Sequence, residues 1–247
     1  MENNLLQLNA KEWLDINLNP ENLRLFDIYY ELLTEWNSFL NLTSISDYRE
    51  FLIKHILDSL VPIKCIYRHK NDSINIVDVG TGAGFPGLPL KILDPELRIS
   101  LIESKKKKAE FLQYVVGTLD LKGVRIISER AEIIAQDSTM RETFDVVLAR
   151  GVSRLDVLSE LTLGLLKIGG AGIFHKGPDV ESELQDSYQA VRLMGGKLKS
   201  PIKYRISNDR FGTLVIVDKI TNTPEYLPRN PGIPIKKPLN NRFNTQS

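Results

Sequence analysis

The first 67 residues carry apolar side chains at helical spacing. Three segments repeat such residues every three or four positions, and each is predicted to form a helix: 5–16 (LLQLNAKEWLDI), 20–40 (PENLRLFDIYYELLTEWNSFL) and 47–63 (DYREFLIKHILDSLVPI). Pro20 suits the first turn of a helix, and Asp47 suits an N-cap. We therefore expect a helical extension over residues 1–67 that packs on the rest of the chain.

From residue 74 onward, short apolar and β-branched segments alternate with helical ones. Five strands are predicted, at 74–79, 97–103, 123–128, 144–150 and 169–176. The predicted helices between them lie near 86–93, 105–119, 131–136 and 154–166. This alternation predicts right-handed crossovers and a doubly wound, largely parallel sheet, because each strand buries both of its faces under helices.

The pattern changes again after residue 176. A helix is predicted near 179–193, followed by two strands at 197–206 and 212–220 whose short polar connection makes them antiparallel. The fold class expected for 68–220 is therefore α/β, a Rossmann-like domain with a mostly parallel seven-stranded sheet and an antiparallel last strand. Prolines recur through 221–247, which predicts an extended basic tail with neither a helix nor a central strand.

Composition narrows the class of protein. The chain has 247 residues, of which 42% are hydrophobic and 26% charged, as is usual in globular proteins. The N-terminus has no basic segment followed by an apolar one, and we expect neither a signal peptide nor a membrane span. A single cysteine, Cys65, excludes an intrachain disulfide and suits the cytoplasm. The three histidines and Cys65 lack metal-ligand spacing, so no metal site is expected.

The net charge of +1 conceals a gradient along the chain. Residues 1–60 carry four basic and ten acidic side chains, whereas residues 197–247 carry ten basic and three acidic ones. Such asymmetry predicts a surface that favours a polyanion.

The glycine-rich stretch IVDVGTGAGFPG follows the first predicted strand and fits two nucleotide loops. Read from Gly82, it is the G-x-G-x-x-G of dinucleotide-binding proteins; read from Asp78, it is D-x-G-x-G-x-G. Asp78 stands close to the position where a dinucleotide places its pyrophosphate, and Pro86 and Pro89 remove amide donors from the start of the following helix. The carboxylate would repel phosphate and attract the methionyl ammonium group of S-adenosylmethionine, which is therefore favoured over a dinucleotide.

Six segments together resemble one family: NLTSI (41–45), KHILDSL (54–60), VDVGTGAGFPGLPL (77–90), ERAE (129–132), LARG (148–151) and FHKGP (174–178). The chain is similar from about residue 20 to its end to the bacterial 16S rRNA guanine-N7 methyltransferases, the RsmG family, formerly called GidB or glucose-inhibited division protein B. Its proline-rich end is similar to the tails of Gram-positive and cyanobacterial members.

The resemblance implies an enzyme that uses S-adenosylmethionine to methylate guanine N7 at one position of 16S rRNA, guanosine 527 in conventional numbering. The implied partner is 16S rRNA, the 30S subunit or its assembly intermediate, and the protein is expected to be a monomer. Ala131 and Glu132 are expected to line the adenine. The full set expected at the cofactor is Asp78, Gly80, Gly82, Gly84, Phe85, Glu103, Ser104, Lys105, Ala131, Glu132 and Arg150.

Guanine N7 carries a lone pair and no proton, so its methylation needs orientation rather than a general base. No residue is accordingly assigned as an acid or base, and Arg150 and His55 are expected to position substrate. Replacing Arg150 is expected to impair turnover or cofactor binding before it affects folding. His55 and Asp58 share one helix face, which suits a substrate pocket and a structural helix end equally.

Basic residues near the predicted strand ends suggest an RNA-binding track. The expected contacts are Lys106, Lys107, Lys108, Arg130, Arg154 and Lys176, with Arg229, Lys236, Lys237 and Arg242 of the tail able to order on RNA. Two other functions stay open at this point: a NAD-dependent oxidoreductase that uses the literal G-x-G-x-x-G, and a non-catalytic RNA-binding or assembly module.

Overall fold

The computed structural model describes residues 2–68 and 74–239. The N-terminal extension is helical, as its periodicity predicts. Asn19 caps the second helix by accepting from the Asn22 amide at 2.8 Å, and Asp47 caps the next by accepting from the Glu50 amide at 2.8 Å. The third predicted helix, 47–63, forms over 48–60 with a π-helical stretch in its middle, and a turn at 61–62 separates it from the next helix. The elements are α1 (Glu2–Leu14), α2 (Pro20–Leu40), α3 (Tyr48–Glu50), the π-helical Phe51–Leu57, α4 (Asp58–Leu60) and α5 (Ile63–Tyr67).

The remainder forms an α/β unit around one sheet. Its strands are β1 (Asn75–Val79), β2 (Arg98–Ile102), β3 (Val124–Ile127), β4 (Phe144–Arg150), β5 (Leu166–Lys176), β6 (Gly196–Leu198), β7 (Ile202–Ser207) and β8 (Arg210–Lys219). Its helices are α6 (Gly87–Leu93), α7 (Lys106–Thr118), α8 (Ala131–Ile134), α9 (Leu155–Thr162), a 3₁₀ turn (Leu163–Leu165), α10 (Glu181–Leu193) and α11 (Ile233–Lys236).

The strand order is β3-β2-β1-β4-β5-β8-β6, with β7 also paired to β8. Neighbours from β3 to β5 are parallel and β8 runs antiparallel to β5, which confirms the predicted fold class. The sheet has eight strands rather than the predicted seven. Pro201 has no amide hydrogen to donate, so the segment predicted as one strand divides into β6 and β7.

Each face of the sheet has its own hydrophobic core. Ile76 and Val77, adjacent on β1, are both fully buried and belong to different clusters, as expected of a strand covered on both sides. The N-terminal extension packs on one face, where Phe26 and Phe51 join the cluster that contains Ile76. The extension therefore shares its core with the sheet.

The C-terminal segment also packs on the protein. Leu227 is 1% exposed, and α11 forms although the proline pattern predicts no helix. That prediction was wrong because Pro234 occupies the first turn of α11, where the missing amide hydrogen costs no helical hydrogen bond. Arg242 lies outside the described residues. Within the described ranges, no helix is long and apolar enough to cross a membrane.

Candidate functional site

The predicted site residues meet at the carboxyl edge of the parallel strands. The glycine loop follows β1, Glu103 follows β2, Ala131 follows β3, Arg150 ends β4 and Lys176 ends β5. Because these five strands are neighbours in one parallel array, their carboxyl ends open on one crevice, the usual ligand position in open α/β sheets.

Asp78 holds the glycine loop in place. Its side chain is fully buried, and Oδ2 accepts hydrogen bonds from Thr81 Oγ1 at 2.6 Å and from the Gly87 amide at 2.9 Å. Burial raises the pKa of Asp78 to about 6, against the hydrogen bonds, which lower it. Oδ1 is buried and has no hydrogen-bond partner within residues 2–68 and 74–239. One carboxylate oxygen thus closes the loop, and the other has unused acceptor capacity.

Two glycines of the loop serve different purposes. Gly84 has a φ of +102°, and a Cβ there would lie 2.6 Å from the Tyr29 hydroxyl oxygen, so the loop packs directly on helix α2. Tyr29 donates a hydrogen bond to the Ala83 carbonyl and stacks on Phe85 at a centroid distance of 5.3 Å. Gly82, with φ +62°, has no described atom within 4 Å of its Cβ position and faces open space. The loop is therefore anchored on one side and open on the other.

Glu103 links the turn after β2 to the glycine loop. Its Oε1 accepts from the Lys105 amide at 2.8 Å and its Oε2 from the Gly82 amide at 3.1 Å. Each oxygen retains a second lone pair for a further donor. Ser104 and Lys105 are exposed beside it.

Glu132, at the start of α8, has an unexpected neighbour. Its side chain is 2% exposed, and Oε1 accepts from Arg130 Nη2 at 2.8 Å and from the Gly232 amide at 3.0 Å. Burial opposes ionisation, but these hydrogen bonds hold the pKa of Glu132 below its ordinary value. Ala131 is buried next to it. The C-terminal segment thus reaches the position predicted to line the adenine.

Arg150 joins the sheet to the N-terminal extension. Its Nη1 donates to the Lys54 carbonyl and to Asp58 Oδ2, both at 2.9 Å, and its Cζ lies 5.1 Å from the centre of the Phe85 ring. Asp58 Oδ1 accepts from the Tyr204 hydroxyl at 2.6 Å. Arg150 is only 15% exposed. Because its donors hold buried groups of the protein, we expect replacement of Arg150 to affect folding as well as turnover or cofactor binding.

His55 is a neutral part of this cluster. Arg150 Nη2 lies 3.0 Å from His55 Nδ1; since arginine only donates, Nδ1 accepts and Nε2 carries the hydrogen toward Thr43 Oγ1 at 2.8 Å. Burial first, and then the charge of Arg150, lowers the pKa of His55 to about 3. The imidazole lies parallel to the Phe85 ring at 4.3 Å. The helix face of His55 and Asp58 thus forms a fixed wall behind the glycine loop.

A cleft of about 370 Å³ opens between the ends of β4, β5 and β7. Its walls include Arg150, Gly151, Ser153, His175, Gly177, Tyr204 and Phe211. His175 Nε2 lies 2.9 Å from the Asp58 carbonyl oxygen, so it donates, while Nδ1 is buried without a partner in the described part of the chain. The sequence interpretation missed two residues of this cleft. His175 lies one residue before the end of β5, within FHKGP, and Tyr204 has no local sequence signal.

The side chains predicted to contact RNA differ in their exposure and in whether they are paired within the protein. Lys176 donates to the Ser153 carbonyl at 2.7 Å and to Glu183 at 2.6 Å and is 10% exposed, so two of its three N–H donors are used within the protein, and its contact with RNA stays a prediction. Arg130 pairs with Glu132, and Arg154 pairs with Asp186 at 2.7 Å but stays 58% exposed. Lys106 and Lys107 are exposed, Lys108 is half-buried, and none of the three has an ion pair among the described residues.

The family follows from comparison with known proteins. A family model described as GidB, rRNA small subunit methyltransferase G, matches residues 22–208. This chain belongs to the rRNA small subunit methyltransferase G family. A relative of that name from Carboxydothermus hydrogenoformans is 44% identical over 226 residues, which cover 91% of this chain and 94% of the relative. Another, from Lachnoclostridium phytofermentans, is 41% identical over 240 residues, covering 97% and 98%.

Solved structures agree with this fold. One is a mutant of MtNAS in complex with S-adenosylmethionine, which is 14% identical to this methyltransferase G family member and has a TM-score of 0.53. The aligned region covers 81% of this chain and 77% of the MtNAS chain. Another is TrmN from Thermus thermophilus, at 15% identity and a TM-score of 0.50, where the aligned region covers 68% of this chain and 53% of the TrmN chain. At these identities the likeness concerns the fold alone.

The family assignment places the site within the matched range. The glycine loop, Glu103, Glu132 and Arg150 of this methyltransferase G family member all lie within 22–208, whereas the C-terminal segment that touches Glu132 lies beyond it. The predicted family is confirmed, and the ligand roles of individual residues remain predictions.

Proposed function

We propose that this chain transfers the methyl group of S-adenosylmethionine to N7 of one guanosine of 16S rRNA, at conventional position 527. The proposal rests on one observation: the glycine loop and the cleft are lined by side chains that contact each other. Phe85 belongs to the glycine loop, and Arg150 both covers the Phe85 ring and lines the cleft at the ends of β4 and β5. A cofactor bound at the glycine loop and a guanine bound in the cleft would therefore lie next to each other, at the Arg150–Phe85 contact.

The residues of the glycine loop fit S-adenosylmethionine. The unpartnered Asp78 Oδ1 suits the methionyl ammonium group, directly or through a water molecule, and the open side of Gly82 lets the backbone approach a ligand closely. The second lone pairs of Glu103 suit the ribose hydroxyls. Ala131 and Glu132 are proposed to line the adenine. The bound cofactor supplies an electrophilic methyl group on a sulfonium.

The charge states around the cleft suit a reaction without a general base. The pKa of His55 is about 3, burial lowers that of His175, and burial raises that of Tyr204. Asp58 keeps a lowered pKa despite burial, because the charge of Arg150 and the hydrogen bonds from Arg150 and the Tyr204 hydroxyl favour its ionised form. These groups keep one protonation state around neutral pH. They are suited to orient a base and exclude water, and orientation contributes roughly 7–11 kcal/mol in favourable cases.

The exposed lysines support an RNA substrate. Lys106 and Lys107 begin α7, where cations oppose the helix dipole, so a bound phosphate would relieve an unfavourable placement. We propose 16S rRNA in the 30S subunit or an assembly intermediate as the substrate, a monomeric enzyme, and the cytoplasm as its location because that substrate is there.

A direct assay tests the proposal. Purified protein is incubated with labelled S-adenosylmethionine and with 16S rRNA or 30S subunits from cells that lack the enzyme, and the modified base is mapped. Label at N7 of guanosine 527 is expected. Label on a cytosine, on an exocyclic amine or on protein contradicts the assignment, and RNA binding without transfer supports a non-catalytic module. Calorimetry that detects NAD but not S-adenosylmethionine supports an oxidoreductase instead.

A further inference from the structure

The C-terminal segment follows a defined path over the helices. Arg141 donates from Nη1 to the Leu227 carbonyl at 2.8 Å and from Nη2 to the Thr223 carbonyl at 2.7 Å. Gln136 Nε2 then donates to the Pro228 carbonyl at 2.6 Å. Side chains from the region just after α8 therefore hold the segment by its backbone, independently of the tail's own side chains.

Arg229 supplies the strongest anchor. Its Nε donates to Glu160 Oε1 at 2.8 Å, its Nη2 to Oε2 at 2.6 Å, and its amide to Oε1 at 2.9 Å. The Glu160 side chain is 0% exposed, and that of Arg229 is 24% exposed. Such a bidentate ion pair is short and geometrically specific, so it fixes the direction of the backbone on either side of Arg229. The same arginine donates to the Lys237 carbonyl at 2.7 Å, which draws the segment into a closed turn.

Within this closed turn, the Gly232 amide reaches the start of helix α8, where Glu132 lies. Gly232 lies between Arg229 and Lys237, has a φ of +82°, and donates its amide hydrogen to Glu132 Oε1 at 3.0 Å. The left-handed backbone allows that amide to face α8. Both this contact and that of Arg130 end on Oε1, so the carboxylate is held in one orientation.

We propose that residues 228–237, the C-terminal strap, position Glu132 for binding the adenine end of S-adenosylmethionine. The inference rests on the proposed function, in which Ala131 and Glu132 line the adenine. The strap acts through Glu132 and is a positioning element, not a catalytic one. It also assigns Arg229 an intramolecular role in place of the RNA contact expected from the sequence.

Calorimetry of S-adenosylmethionine binding to the full chain tests the strap. Arg229→Ala is expected to raise the Kd about tenfold, the size expected when a hydrogen bond to a charged group is lost. Arg229→Lys keeps the charge and should recover part of the affinity. Lys167→Ala breaks an ion pair with Asp145 at the opposite edge of the sheet and is the matched control, with an expected change below about twofold.

A double-mutant cycle separates positioning from general stability. If Arg229 acts through Glu132, then Arg229→Ala changes the Kd less than about twofold in a Glu132→Ala background. An equal loss in both backgrounds, or a lower Tm with an unchanged Kd, overturns the proposal. If Arg229→Ala does not fold, Gln136→Ala, which releases the Pro228 carbonyl, replaces it: a raised Kd is expected, and wild-type affinity overturns the proposal. Failure of the wild-type protein to bind S-adenosylmethionine refutes the proposed function instead.

Discussion

Asp78 lies one residue before the end of β1, and its carboxylate is fully buried. This burial is unfavourable for folding, but the same carboxylate is proposed to favour cofactor binding. Its Oδ2 accepts two hydrogen bonds that asparagine can also accept, and its Oδ1 has no partner among the described residues. Asp78→Asn therefore keeps the shape of the side chain, removes the charge and places an NH2 group at the position of Oδ1. We expect the variant to be more stable than the wild type at neutral pH and to bind S-adenosylmethionine more weakly.

The magnitude follows from the pKa. Burial raises the pKa of Asp78 from its ordinary 3.8 to about 6. One pKa unit corresponds to about 1.36 kcal/mol, so the difference is about 3 kcal/mol. Because the folded state holds this proton more tightly than the unfolded state, the contribution is fully present below about pH 3.8 and is lost as the pH rises through about 6. Asparagine does not titrate, so its stability advantage should grow by about 3 kcal/mol over that interval.

Urea unfolding of both proteins from about pH 3.5 to pH 7.5 measures this effect. The difference between the two free energies of unfolding cancels the contributions of other titrating groups. Calorimetry at pH 7.5 then measures the Kd for S-adenosylmethionine, which we expect to rise about tenfold or more with the loss of a charge partner for the ammonium group.

Asp145→Asn is the matched control for binding, since Asp145 also accepts a backbone amide, from Asn75 at 2.8 Å, but lies at the amino-terminal edge of the sheet. Its Kd should equal that of the wild type. A stability difference for Asp78→Asn that stays constant with pH would show that the carboxylate is not destabilised by burial. Unchanged cofactor affinity in that variant would refute the proposed ammonium contact.

Three further predictions follow from the same contacts. Arg150→Ala removes one partner of a buried ion pair and should cost about 3–5 kcal/mol, or about 6–20 °C in Tm; a loss below about 1 kcal/mol in urea unfolding would contradict that role. Tyr29→Phe should cost about 1–3 kcal/mol because the Ala83 carbonyl loses its donor, and should raise the KM for S-adenosylmethionine; unchanged stability would show that the loop does not need this anchor. Replacing Lys106 and Lys107 with alanine should lower the slope of log affinity for RNA against log salt by about one per lost phosphate contact and leave the cofactor Kd unchanged; an unaltered slope would exclude these contacts.

The sequence predicted the elements wherever the signal was local. Strand and helix periods are properties of short segments, and Asp47 and the Asp78 loop act within a few residues of themselves. The carboxyl edge could likewise be predicted, because parallel strands must place their ends together. The segment around Pro201 was predicted less well. Its apolar pattern is that of one strand, but the hydrogen-bond ladder is interrupted at Pro201, so two strands form.

The structural roles of the charged residues depended on distant partners. Nothing near Lys176 indicates that Glu183 lies 2.6 Å from its ammonium group, and nothing near Arg150 indicates that Asp58, 92 positions earlier in the chain, accepts from its guanidinium group. Burial and pairing then decide whether a cation is available to a ligand, and both arise only when the chain is folded.

The sequence by itself determined the family, the α/β class and the order of elements, because apolar periodicity and glycine spacing are written in consecutive residues. Only the tertiary structure decided which oxygen of Asp78 has no partner among the described residues, which of the described lysines have no ion pair there, and where residues 228–237 lie. Those properties depend on hydrogen-bonding groups brought together from distant parts of the chain. The contact between the Gly232 amide and Glu132, 100 residues apart, is the clearest instance.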